Sequence, residues 1–192
     1  MRYILSSIIS IFIIGNACTQ VKKVTIDVHG DFEIVIKVYD GSVTINNLGE
    51  IRDIAIDGRT DYFIAGSNQG KVESIGTIDF DYYMSGSREG KVKQIGNISF
   101  NYYMVGAREG KLESAGETNF DYYIVGSRKG KIESVDRIEM DYYIAGAREG
   151  KVQSIGSNRF DYYLIGSREG KFQSGDRSLM HNGISFRLRG GY

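Results

Sequence analysis

The residues of this chain that could do chemistry come at a fixed spacing, and most of them are tyrosines. Tyr-Tyr pairs stand at Tyr82-Tyr83, Tyr102-Tyr103, Tyr122-Tyr123, Tyr142-Tyr143 and Tyr162-Tyr163, each twenty residues after the last. Asp81, Asp121, Asp141 and Asp161 precede four of the pairs, and Arg88, Arg108, Arg128, Arg148 and Arg168 follow them. Rings at even intervals are rigid and amphipathic, which suits stacking on sugars or peptides. On an extended strand, adjacent side chains point to opposite faces. Tyr82, Tyr102, Tyr122, Tyr142 and Tyr162 are therefore expected to pack as core. Tyr83, Tyr103, Tyr123, Tyr143 and Tyr163 then line the mixed face as the candidate binding row.

Catalytic sets are harder to find. His29 and His181 are the only histidines, far apart in sequence and outside the regular units, and read as turn residues. No nucleophile–base pair, metal-ligand spacing or phosphate loop is present in the sequence. GSREGK superficially resembles a phosphate loop but recurs as a turn. The aspartates before the tyrosines lack the converging oxygen ligands of a calcium loop and are expected as cross-strand ion pairs. The expectation is a protein that is not an enzyme and carries no cofactor or metal. Lys and Arg number 24 against 24 Asp and Glu, so no nucleic-acid footprint is visible.

These residues sit in a unit that reads GKVKQIGNISFNYYMVGARE at 90–109. Near-copies begin at Gly70, Gly110, Gly130 and Gly150, a divergent one spans 49–69, and a decayed one begins at Gly170. Fixed-period self-similarity marks a repeat architecture. Ile98, Phe100, Tyr102 and Met104 alternate with Ser99, Asn101, Tyr103 and Val105, a period of two in β-branched and aromatic residues, so the unit contains a strand. A shorter strand lies at 91–95, and glycine-bearing turns separate the two, which makes the unit a β-hairpin. Asp136 and Asp176 replace the turn glycine in two copies. A three-residue loop Arg88-Glu89-Gly90 predicts that Ser87 faces Lys91, Met84 faces Gln94 and Tyr82 faces Gly96. It puts Phe80, Tyr82, Met84 and Val92 on one face, and Asp81, Tyr83, Ser85, Lys91 and Ile95 on the other.

The expected fold is all-β: tandem antiparallel hairpins in a continuous meander, as an open twisted sheet or a closed barrel. The alternative, a parallel solenoid, would stack arginine on arginine about 4.8 Å apart, at roughly 0.9 kcal/mol per pair even in water. A meander doubles that spacing. Residues 18–48 alternate without the repeat and read as a capping meander leading into the array at 49–192. The terminal strand, with Arg187 and Arg189, reads as a protected edge.

Residues 1–17 carry one positive charge, an apolar run too short to span a membrane, and small residues before Cys18, as in a signal peptide. The segment before Cys18, the only cysteine, resembles the lipobox of bacterial lipoproteins. That resemblance implies lipidation at Cys18 and attachment to the outer membrane or cell surface; cleavage without lipid would instead give a periplasmic or secreted chain. The hairpins resemble the choline- and cell-wall-binding repeats of Gram-positive surface proteins, without the tryptophans of their aromatic cages. In wording they are more similar to a group of small exported proteins of Bacteroidetes-type bacteria with Gly-Lys-Ile-x-Ser-Ile-Gly and Tyr-Tyr, here Gly130-Lys131-Ile132-Glu133-Ser134 and Ser154-Ile155-Gly156. These resemblances imply export and a hairpin fold. The expected role is binding or structure at the cell envelope, with an envelope glycan, polymer or protein as partner. A small outer-membrane β-barrel is the first alternative, and a secreted enzyme the second.

Overall fold

The computed structural model describes residues 20–39 and 41–190. The expected signal peptide, Cys18 and the terminal Tyr192 lie outside them. The chain is all-β, and its meander does not close into a barrel. It opens with β1 (Val21–Asp27), β2 (Phe32–Val38), β3 (Gly41–Asn46) and β4 (Ile51–Ala55). The array follows as β5 (Thr60–Tyr62), β6 (Val72–Ile75), β7 (Ile78–Tyr82), β8 (Val92–Ile95), β9 (Ile98–Tyr102) and β10 (Leu112–Ala115). It continues through β11 (Thr118–Tyr122), β12 (Ile132–Val135), β13 (Ile138–Tyr142), β14 (Val152–Ile155), β15 (Asn158–Arg159), β16 (Asp161–Tyr162) and β17 (Phe172–Ser174). The chain ends in β18 (Ser178–His181) and β19 (Ile184–Arg189).

Among the described residues, β5 to β15 pair consecutively in one eleven-stranded sheet, and β16–β17 form a final hairpin. The remaining strands make a six-stranded sheet in the order β18-β19-β1-β2-β3-β4. That sheet is not a continuation of the array. It brings both ends of the described residues together through a parallel β1–β19 pair, Val24 beside Phe186 and Ile26 beside Leu188. β19 is thus an interior strand, contrary to the protected edge expected from Arg187 and Arg189. Arg189 instead ion-pairs Glu33 at 2.8 Å.

Two half-apolar sheets bury their apolar sides against one another. Val24, Ile26, Phe32, Ile34, Ile36 and Ile45 of the six-stranded sheet are fully buried with Phe100, Phe120, Val135 and Met140 of the array. Phe32 stacks on Phe120 with centroids 5.3 Å apart. Backbone bonds pin the layers at three places along the array: Val92 N–H to the Gly49 carbonyl, Leu112 to Asn47, and Val152 to Val28.

Inside the repeat the expected register needs correction. Phe80 faces Ile95, Asp81 faces Gln94 and Tyr82 faces Val92, so one extra residue, Lys93, is inserted opposite the Asp81–Tyr82 step. Such a bulge resets the side-chain alternation. Val92 and Ile95 consequently both point inward, and Ile95, expected on the mixed face, is fully buried. The strand also ends earlier than its alternation suggests. Tyr83 and Gly90 close a six-residue loop, with one 3-10 turn at Gly86–Arg88. Met84 is therefore on the loop and 69% exposed rather than on the apolar face. The second turn is as expected, and Asp136 takes φ +51 in place of glycine; Asp176 is not among the positive-φ residues, and Gly175 beside it takes φ +122.

Gly49 shows how tightly the layers approach. It has φ +82, and a Cβ there would lie 2.3 Å from the Tyr102 hydroxyl. Gly30 meets Tyr142 in the same way. Gly49→Ala combines a left-handed backbone with overpacking against an immobile ring, and is expected to cost about 3 kcal/mol. Urea denaturation checks this, and Tyr102→Phe in the same chain should recover part of the loss.

Candidate interaction surface

The candidate row Tyr83, Tyr103, Tyr123 and Tyr143 is half-buried, and each hydroxyl is engaged across a repeat boundary. The Tyr83 hydroxyl donates to the Phe100 carbonyl at 2.9 Å, Tyr103 to Phe120 at 3.0 Å, Tyr123 to Met140 at 2.9 Å and Tyr143 to Phe160 at 2.9 Å. Each ring meets the next repeat's buried tyrosine nearly edge-on, Tyr103 against Tyr122 at 6.0 Å and 82°. An arginine of the same loop stacks on each: Arg108 lies 4.1 Å from the Tyr103 centroid and Arg128 4.2 Å from that of Tyr123. The arginine then reaches the next repeat's aspartate, Arg108 to Asp121, Arg128 to Asp141 and Arg148 to Asp161. Each aspartate also accepts the backbone N–H of the tyrosine that follows it, as Asp121 does from Tyr122 at 2.9 Å. Asp121, Asp141 and Asp161 thus pair across the repeat boundary, and Asp81 alone of the four makes the expected cross-strand pair, with Lys93.

One departure shows that the seam behaves as a unit. Asn68 stands where later repeats carry arginine, leaving Asp81 without a partner from the preceding loop, and Lys93 occupies a site that is Glu or Gln in the other repeats. Lys93 pairs with Asp81 at 2.7 Å. Where Asn101 replaces the aspartate, Arg88 keeps its ring contact at 4.1 Å from the Tyr83 centroid. These are partly exposed pairs, each worth about 1 kcal/mol or less.

The buried row does a different job. Tyr102, Tyr122, Tyr142 and Tyr162 are at most 1% exposed. Their hydroxyls donate to the carbonyls of Val92, Leu112, Ile132 and Val152 at 2.8–3.0 Å. Burial pushes the Tyr82 hydroxyl up to about 12 and holds those of Tyr102, Tyr122, Tyr142 and Tyr162 higher still. Burial also raises Tyr103, Tyr123 and Tyr143. Above these rings run the lysines, with Lys111 Nζ 5.1 Å from the Tyr122 centroid and Lys71 Nζ donating to the Gly90 carbonyl at 2.8 Å. Burial lowers the pKa of Lys71, Lys91, Lys111 and Lys131.

Tyr163 is the exception in the candidate row. Its hydroxyl accepts from Arg168 at 3.4 Å, but no further repeat supplies a carbonyl or an aspartate among the described residues. His29 lies exposed in the β1–β2 turn, and His181 ends β18, so the fold does not bring the two into one catalytic set.

What sequence reasoning missed is the position just after each tyrosine pair. Ile64, Met84, Met104, Ile124, Ile144 and Leu164 are all large, aliphatic and 51–91% exposed. Val105, Val125 and Ile165 add to them at 73–84%. Period-two alternation assigned Met84 and its equivalents to the apolar face of a strand, and Val105 to its mixed face; the loop geometry instead leaves them at the surface. The readable signal was Gly86 and its equivalents two residues on, at positive φ and with open space about them.

The fold and this seam together define a tandem β-hairpin repeat protein, with inter-repeat contacts made by tyrosine, arginine and aspartate. Comparison with protein-family models, curated proteins and solved structures finds no match.

Proposed function

We propose that this chain is an exported, non-enzymatic repeat protein, anchored by lipid at Cys18, that serves as a binding or structural element of the cell envelope. The observation that carries the binding role is the ridge of exposed aliphatic residues, one in every repeat. Large apolar side chains left exposed at the same loop position of each repeat mark a contact site. The ridge adjoins the stacked Tyr–Arg pairs, whose guanidinium edges and ring edges offer polar contacts beside it. Aliphatic fingers flanked by such groups suit the mixed apolar and hydroxylated surface of an envelope glycan or polymer, or an envelope protein. In this reading Tyr83, Tyr103, Tyr123, Tyr143 and Tyr163 shape the surface and hold its spacing.

The test is binding of the protein to isolated envelope polysaccharide and to whole envelope fractions, before and after Met104→Ser, Ile124→Ser and Ile144→Ser together. These side chains are exposed, so the fold should survive. Losing the burial of three such groups, at about 1.5 kcal/mol each, should weaken binding on the order of 1,000-fold. Tyr103→Phe, Tyr123→Phe and Tyr143→Phe together should change binding far less. Unaltered binding by the folded serine variant would rule the ridge out as the contact.

A further inference from the structure

The repeat boundary is made the same way each time, and the two ends of the array hold its two unmatched halves. At the C-terminal end stand Tyr163 and Arg168, the donor half. Arg168 is exposed, whereas Arg88, Arg108, Arg128 and Arg148 are half-buried by the following repeat. At the N-terminal end stand Thr60, Asp61 and Tyr62, the acceptor half. They align with Phe120, Asp121 and Tyr122, which receive Tyr103 and Arg108. Tyr62 is 54% exposed, while its later equivalents are at most 5% exposed.

The empty acceptor is visible as a cleft. Around Tyr103, Phe120, Asp121 and Ser134 the space left is about 270 Å³. The equivalent cleft at Thr60, Asp61, Tyr62 and Ser74, with no tyrosine from a preceding loop, is about 630 Å³. Among the described residues the Asp61 carboxylate is paired with Arg59, at 3.0 Å, and Arg59 is 86% exposed. The most exposed large aliphatics of the described residues are Ile64, at 91%, and Ile165, at 84%, one at each end.

We infer that a second copy of this chain docks head to tail, Tyr163 and Arg168 of one entering the Thr60–Asp61–Tyr62 cleft of the next. The Tyr163 hydroxyl donates to the Thr60 carbonyl, Arg168 pairs with Asp61, and Tyr163 meets the Tyr62 ring edge-on. Arg177 stacks 3.8 Å from the Phe172 centroid at that end, so the donor end offers the junction its outer-row tyrosine, Tyr163. A heterologous contact of this kind does not close on itself and grows into a line. The junction is small, so association belongs to high protein concentration or to a surface that gathers the chains. It is independent of what the ridge binds.

Sedimentation and light scattering of the purified protein across a wide concentration range test this. The expected result is a mass that rises with concentration past that of a dimer. Arg168→Asp and Asp61→Arg should each weaken association at least tenfold with the unfolding transition unmoved. A chain carrying both reversals should recover it, because its own ends are again complementary. A strict monomer, a dimer that stops growing, or association indifferent to both reversals would overturn the inference.

Discussion

Excising one complete repeat, residues 110–129, should unfold the whole chain instead of merely shortening it. In an ordinary repeat array stability is close to a sum of units and neighbour contacts, so removing an internal unit costs one increment. Here a second sheet spans the array and is pinned at Val92, Leu112 and Val152 by the carbonyls of Gly49, Asn47 and Val28. Excision puts Ile132 where Leu112 stood and brings Val152 one repeat closer to Val92, while the six-stranded sheet keeps its length. Gly49 still needs Tyr102 beneath it, and Gly30 still needs Tyr142. These contacts cannot all be met at once. The parallel β1–β19 pair joins the first and last described strands in that same sheet and removes the option of fraying from one end. The loss should approach the whole stability of a domain this size, about 5–15 kcal/mol. Circular dichroism with thermal melting checks it: a cooperative transition within a few degrees of the parent would show that the anchors do not set the length.

The second large effect is steep unfolding in alkali. Tyr82, Tyr102, Tyr122, Tyr142 and Tyr162 are buried as neutral hydroxyls with folded pKa values raised above the ordinary 10. Above pH 10 the unfolded chain gives up these protons and the folded one keeps them. The unfolded state then binds fewer protons, so stability falls as pH rises, by about 1.4 kcal/mol per pH unit for each group. Five groups make roughly 7 kcal/mol per unit. Lys71, Lys91, Lys111 and Lys131 act with the opposite sign, since burial lowers their pKa, but only up to their unfolded value of 10.5. The net loss is therefore concentrated between about pH 10.5 and 12. Phenolate absorbance should rise in one cooperative step together with loss of the circular dichroism signal. Tyr122→Phe should make that step shallower by about one proton. A gradual titration of all tyrosines with the fold intact would contradict the buried row.

The hairpin unit, its antiparallel meander and the burial of the first tyrosine in each pair were legible in the sequence. The cause is local: period-two alternation, glycines or aspartate at left-handed turns, and a unit that recurs often enough to average out single substitutions. The turn Asp136 follows from the same chemistry. Spacing also held the clue to the bulge, since Val92 and Ile95 stand three apart with two polar residues between, which simple alternation cannot bury together. Reading the strand past Tyr82 hid this, and with it the exposed ridge at Met84 and its equivalents.

Other features were decided only by tertiary contacts. Whether the second tyrosine stands free or is clasped by arginine and the next repeat's carbonyl depends on how far one hairpin is offset from the next, and no single repeat encodes that offset. The N-terminal meander and the terminal strand lie far apart in sequence, and each alone reads as a cap for its own end. They pair because the array leaves one long apolar face uncovered, and neither segment by itself is wide enough to cover it.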